Sequence, residues 1–143
     1  MPRVKIELPE KFFDISISIP VRITDINYGD HVGNDSLVAI IHEARMQFLQ
    51  HHGFTELDID GLGLIMSDLL VEFKNESFYK DVIDVKIGSD NISKASFELF
   101  YQLTTIRNTE KIFIANAKTT MVCYDYELKK VAALPVKLKY ILF

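Results

Sequence analysis

The sequence predicts an α+β fold in which one long central helix is wrapped by a curved antiparallel sheet of about five strands. Three observations lead there. The chain reads as one strand-type segment, one helix-type segment and then four more strand-type segments. The helix-type segment is apolar on most sides, so it must be buried on most sides. The later segments are long and joined by short links, which favours antiparallel neighbours. At roughly 3.3 Å per strand residue against 1.5 Å per helix residue, strands of about 12 residues can span such a helix if the sheet curls around it. On pattern alone, an α+β sandwich with the helix flat on the sheet is the alternative. Nearly half of the 143 residues are apolar, and no Ser-, Gly- or Pro-rich linker, repeat or low-complexity tract divides them. One domain over residues 1–143 is expected.

Taken in order, residues 14–24 (DISISIPVRIT) place Ile15, Ile17, Ile19, Val21 and Ile23 at alternate positions, the period of a half-buried strand. Pro20 lacks a donor and predicts an edge or a bulge. The cluster DINYGDHVGND follows and must be a loop. Its last residues, Asn34 and Asp35, together with Ser36, are helix-capping types. Residues 37–53 (LVAIIHEARMQFLQHHG) then form the long helix, with Gly53 as a plausible left-handed stop. Strands are expected over residues 62–74, 81–89, 95–106 and 112–124, the short break at 107–110 making a hairpin of the last two.

Composition excludes several function classes. The single Cys123 rules out a disulfide framework within the chain and a sulfur-rich metal site. The net charge of -4 opposes nonspecific attraction to nucleic acid. Residues 1–13 carry charge every few positions, and no window offers about 18 uncharged apolar residues, so neither export nor membrane insertion is expected. A reducing, cytoplasmic setting is the simplest reading. His42, His51 and His52 have no mutual spacing that closes a metal site, no glycine-rich phosphate loop is present, and no cofactor is implied.

The stretch DINYGDHVGNDSLVAIIHEARMQFL carries the most information. Asp25, Asn27, His31, Val32, Asn34, Glu43, Ala44, Arg45, Phe48 and Leu49 fall without a gap on a pattern that resembles the hotdog thioesterases of the 4-hydroxybenzoyl-CoA thioesterase type. The resemblance extends from about Val21 to Pro135 through GLGLI at 61–65, the AKTTMV strand at 117–122 and Leu134-Pro135. It implies a hotdog fold, an acyl-CoA or acyl-carrier-protein thioester as substrate, and a homodimer or homotetramer in which sheets join edge to edge and pockets form between subunits. It also implies that the amides around Gly33, Asn34 and Asp35 hold the thioester oxygen at the helix start. Two positions depart from the pattern: Asn27 stands where the usual catalytic carboxylate does, and Asp30 where a glycine does. An amide cannot act as nucleophile or general base, so the familiar mechanism does not transfer intact.

The residues themselves leave alternatives open. A helix opening on a Gly-Asn loop presents free amides and the positive end of its dipole, which suits a polarised carbonyl oxygen. Asn34 or Asp35 equally suits a plain N-cap. Candidate bases are Asp25, Asp30, Asp35, His31 and Glu43, although a solvated acidic loop has the same composition. Asn27 could donate to the carbonyl or orient a water, or it could brace the loop. Glu43 reaches the pocket from the helix in one reading and forms structural ion pairs with Arg45 at a subunit contact in the other. The leading function is acyl-CoA hydrolysis. A non-catalytic acyl-CoA or acyl-carrier-protein binding protein is the alternative, motivated by Asn27.

Overall fold

The computed structural model describes residues 3–143. In chain order the elements are β1 (Ser18–Pro20), a 3-10 turn (Ile23–Asp25), α1 (Asn34–His51), β2 (Gly63–Phe73), β3 (Val82–Asp90), β4 (Ser96–Arg107), β5 (Glu110–Asp125), β6 (Lys130–Val131) and α2 (Val136–Leu142). The sheet order is β1-β3-β4-β5-β2, all antiparallel, with the two-residue β6 added beside β5. Alternation drives β3, β4 and β5. Ile83, Val85 and Ile87, then Phe97, Leu99, Tyr101 and Leu103, then Ala117, Thr119, Met121 and Cys123 share the inner face and are buried. They close one core with Leu37, Ile40, Ile41, Ala44, Phe48 and Leu49 of α1. The β4–β5 hairpin turns on Asn108 and Thr109, both with positive φ (53° and 65°), the backbone shape that matches the twist of two-residue hairpins.

Other expectations are met in modified form. Only Ser18–Pro20 of the first strand segment is regular, on an edge, and Pro20 faces Val82 where its missing donor costs nothing. The chain then breaks because Asp25 Oδ2 accepts the backbone N–H of Arg22 (2.8 Å) and closes the 3-10 turn. Ile17, Ile19 and Val21 still bury their side chains. The long helix begins at Asn34, three residues before the apolar run, and ends just before His52, with Gly53 left-handed (φ 80°). Its exposed stripe includes Asp35, Ala39, His42, Glu43 and Gln50. α2 went unforeseen because the seven residues that follow Pro135 show too few turns to establish a period, yet it buries Leu138 and Leu142.

The segment before β1 crosses the outer sheet face. Ile6 N–H donates to Glu72 on β2 (3.1 Å), residues 9–12 lie against Gly88 on β3, and Phe13 rounds the edge to meet Phe48 of α1 at 4.8 Å between rings.

Arg45 is the one charged side chain of α1 inside the core, 4 % exposed. Its charge is met within the chain: Nε stands 3.5 Å from Glu56 Oε2, and Nη1 donates to the Tyr101 hydroxyl (3.3 Å), which in turn meets Thr119 Oγ1 at 2.8 Å. Glu56 also binds His42. Burial pushes the Tyr101 phenol up despite Arg45 beside it, so it acts as a neutral hydroxyl. Tyr101→Phe therefore leaves a buried guanidinium and a threonine each short of a partner. The expected loss is about 1–3 kcal/mol, read as a lower urea midpoint at unchanged slope.

Candidate active site at the start of the long helix

The loop of residues 25–33 is tied to itself. Asn27 N–H donates to His31 O (2.8 Å), and Asn27 Oδ1 accepts Gly29 N–H (2.9 Å) and, more weakly, His31 N–H (3.4 Å). This is the local bonding to which asparagine is suited, so its side-chain oxygen is spent on bracing the turn. Asp30 sits at the exposed tip with φ 62° and donates its N–H to Asn27 O (3.1 Å). Asp25 is buried beneath: its carboxylate meets the Arg22 guanidinium (3.3 Å), and its carbonyl accepts Gly33 N–H (3.0 Å).

Gly33 caps α1 without any side-chain cap bond. Of the three amides around Gly33, Asn34 and Asp35, that of Gly33 is taken by Asp25, and that of Asp35 donates to Asn34 Oδ1 (2.9 Å). Among the described residues, no acceptor meets the N–H of Asn34. The Asp35 carboxylate lies over Gly33, where an added Cβ would stand 2.6 Å from Oδ1. Glu43, more than two turns further along α1, bonds Gln47 and lines a separate groove between α1 and β1 together with His42 and Met46.

A pocket of about 690 Å³ opens beside the helix start. Val32, Leu37, Ile112 and Ile114 supply its apolar lining, and Asn34, His31, Phe73 and Glu76 stand around it with Arg3, Lys74 and Arg107. Of the residues singled out in the sequence, it brings together His31 and Asn34. Asp25, Asn27, Asp30, Gly33, Asp35 and Glu43 are not among its lining residues. Glu76, unremarked in the sequence, is the one carboxylate there among the described residues. It lies in the polar break between two strand segments, and only the pairing of β2 and β3 into the sheet carries it to the helix start.

His31 has a defined polarity. Its Nδ1 lies 3.1 Å from Val32 O, and a carbonyl can only accept, so Nδ1 carries the proton and the neutral ring presents a lone pair at Nε2. Nε2 stands 3.8 Å from Glu76 Oε1. The ring packs so close to Gly29 that a Cβ there would come within 3.2 Å of Nε2. Cys123 offers no alternative nucleophile: it is buried, and burial pushes its thiol up to about 11.

The linker that carries Glu76 is anchored by Asp81, whose carboxylate bonds Arg107 (2.7 Å), Phe78 N–H (2.9 Å) and Ser77 Oγ (3.0 Å). Burial works against ionising Asp81, but these bonds and the guanidinium charge outweigh it and hold the carboxyl below its usual range. A lowered folded pKa stabilises above the unfolded value, ordinarily 3.8, and that contribution is lost as pH falls through the lower folded value. Urea midpoints measured from pH 6 down to pH 2.5 should therefore fall less steeply below about pH 4 for Asp81→Asn than for the wild type.

Comparison with known proteins agrees with this architecture. Residues 21–142 match the family model described as the thioesterase-like superfamily. The 1,4-dihydroxy-2-naphthoyl-CoA thioesterase of Synechocystis superposes with a TM-score of 0.78 at 18% identity, covering 89% of this chain and 93% of that one. A gentisyl-coenzyme A thioesterase gives 0.77 at 18% identity, covering 90% and 100%. A thioesterase-superfamily protein from Jannaschia gives 0.81 at 12% identity, covering 94% and 83%. A search of curated proteins returned no match. At these identities the structures speak for the hotdog fold, and with the family match over most of its length, the chain belongs to the thioesterase-like superfamily.

Proposed function

We propose that the protein is an acyl-CoA thioesterase that binds its thioester in the pocket at the start of α1, with the acyl part against Leu37, Ile112 and Ile114. One observation carries the reading: a free helix N-terminal amide, a histidine with an open lone pair and a carboxylate border the same largely apolar pocket. Asn34 N–H and the positive end of the helix receive the carbonyl oxygen, whose charge grows as the reaction proceeds. A water held between His31 Nε2 and Glu76 attacks the carbonyl carbon. Its proton passes to that pair as the new C–O bond forms. The tetrahedral adduct then collapses, the C–S bond breaks, and the proton returns to the thiolate, giving a carboxylic acid and free thiol.

In this reading the base is not Asp25, Asp30, Asp35 or Glu43, and Asn27 is the brace that presents His31. The presence of Asn27 also keeps the second reading in play, acyl-CoA or acyl-carrier-protein binding without turnover. A homo-oligomer in the cytoplasm belongs to the proposal. β2 is an 11-residue edge strand carrying exposed Ile65, Met66, Leu70 and Phe73, a surface that a second copy would cover. Because Phe73 also borders the pocket, that copy would help enclose the substrate.

Purified protein given a panel of short, long and aromatic acyl-CoAs should release free thiol, with Glu76→Gln lowering kcat by about 100-fold, the usual size of a general-base contribution. Saturable binding without thiol release from any member of the panel would select the second reading.

A further inference from the structure

A side chain at the far end of β4, Arg107, contacts the linker that carries Glu76. Arg107 grips Asp81 at two points, Nη2 to Oδ2 at 2.7 Å and Nε to Oδ1 at 3.3 Å. The same Nη2 donates to the backbone carbonyl of Glu76 (3.3 Å), and the guanidinium lies over the Phe78 ring, 4.9 Å from its centre. Asp81, held from one side, binds Ser77 Oγ and Phe78 N–H from the other. One ion pair thus fixes three consecutive residues, 76–78. Ser77 O then accepts Val32 N–H at 2.8 Å, which locks that segment to the residue following His31. The Glu76 carboxylate itself is largely exposed (62 %), so its place opposite His31 is set by its backbone rather than by packing of its side chain.

We propose that Arg107 is a positioning residue for thioester hydrolysis: through Asp81 and the Glu76 carbonyl it holds the Glu76 carboxylate at working distance from His31 Nε2. The proposal rests on the preceding reading, in which that pair handles the proton. Arginine is required because its planar fork satisfies a carboxylate along one edge while a third bond reaches the carbonyl. A lysine ammonium is a single point charge and cannot hold this geometry. A purely structural Arg107 would instead lower stability and activity independently of Glu76.

The test uses the full chain with Arg107→Lys, Glu76→Gln, Asp81→Asn and the Arg107→Lys/Glu76→Gln double variant. The first measurement needs no substrate: the ring 15N resonances of His31 report the carboxylate facing Nε2. Glu76→Gln should shift them, and Arg107→Lys and Asp81→Asn should each reproduce at least about half of that shift in the same direction, since both release the same backbone segment. A His31 resonance unmoved by Arg107→Lys, or by Glu76→Gln, overturns the proposal. The second measurement is kinetic: Arg107→Lys should lower kcat about tenfold with KM changed less than about threefold, and cause no further loss on top of Glu76→Gln. Fully additive losses overturn it. If the wild type releases thiol from no thioester, the hydrolytic reading fails by itself, and the His31 resonances alone decide whether Arg107 places Glu76.

Discussion

The constraint on which the structure depends is the burial of α1 against the inner face of the sheet. Ile40, Ile41, Ala44, Phe48 and Leu49 are essentially removed from water, and the strands that face them contribute Ile83, Ile87, Phe97, Leu99, Tyr101 and Leu103 in equal degree. Sliding or rotating the helix would open cavities in an interior that tolerates few. The helix start is therefore fixed relative to the ends of β2, β3, β4 and β5. That fixed relation turns a loop, a linker and a strand end, all far apart in sequence, into the walls of one pocket.

Within that frame, the polar groups divide into those that hold the backbone and those that remain free. Asp25, Asn27 and Asp81 are spent: each accepts backbone N–H groups and fixes a loop conformation. Asn34, His31 and Glu76 instead border the pocket. For the proposed hydrolysis such a separation supplies electrostatic preorganisation, because groups already committed to the backbone keep the free ones from reorganising. Asn27 fits this division as a neutral brace beside the helix start, while an acid from the β2–β3 linker stands across from the histidine.

Much of the fold was legible in the sequence, and the reason is periodicity. Alternation over Phe97 to Leu103 and Ala117 to Cys123 placed β4 and β5 to within two residues, because each strand has one face on the core. Legibility failed where local bonds override the period. Residues 14–24 alternate throughout, yet the Arg22–Asp25 bond breaks the strand after Pro20. In the candidate site, the loop-helix stretch contributes His31 and Asn34 to the lining of the pocket beside the start of α1. Which amide stays open was not readable, since it depends on the Gly33–Asp25 bond across eight residues. Glu76 and Arg107 could not be singled out: a carboxylate in a linker and an arginine at a hairpin have no distinguishing composition, and their roles arise only from sheet pairing.

In the proposed mechanism a thioester carbonyl sits against the open start of α1. A crystal structure of the protein with a non-hydrolysable thioether analogue of an acyl-CoA tests it most directly. The carbonyl oxygen should then lie within about 3 Å of Asn34 N, with the acyl chain against Leu37 and Ile114 and the Glu76 carboxylate on the attacking side. An analogue seated instead in the groove between α1 and β1, beside His42 and Glu43, would contradict it.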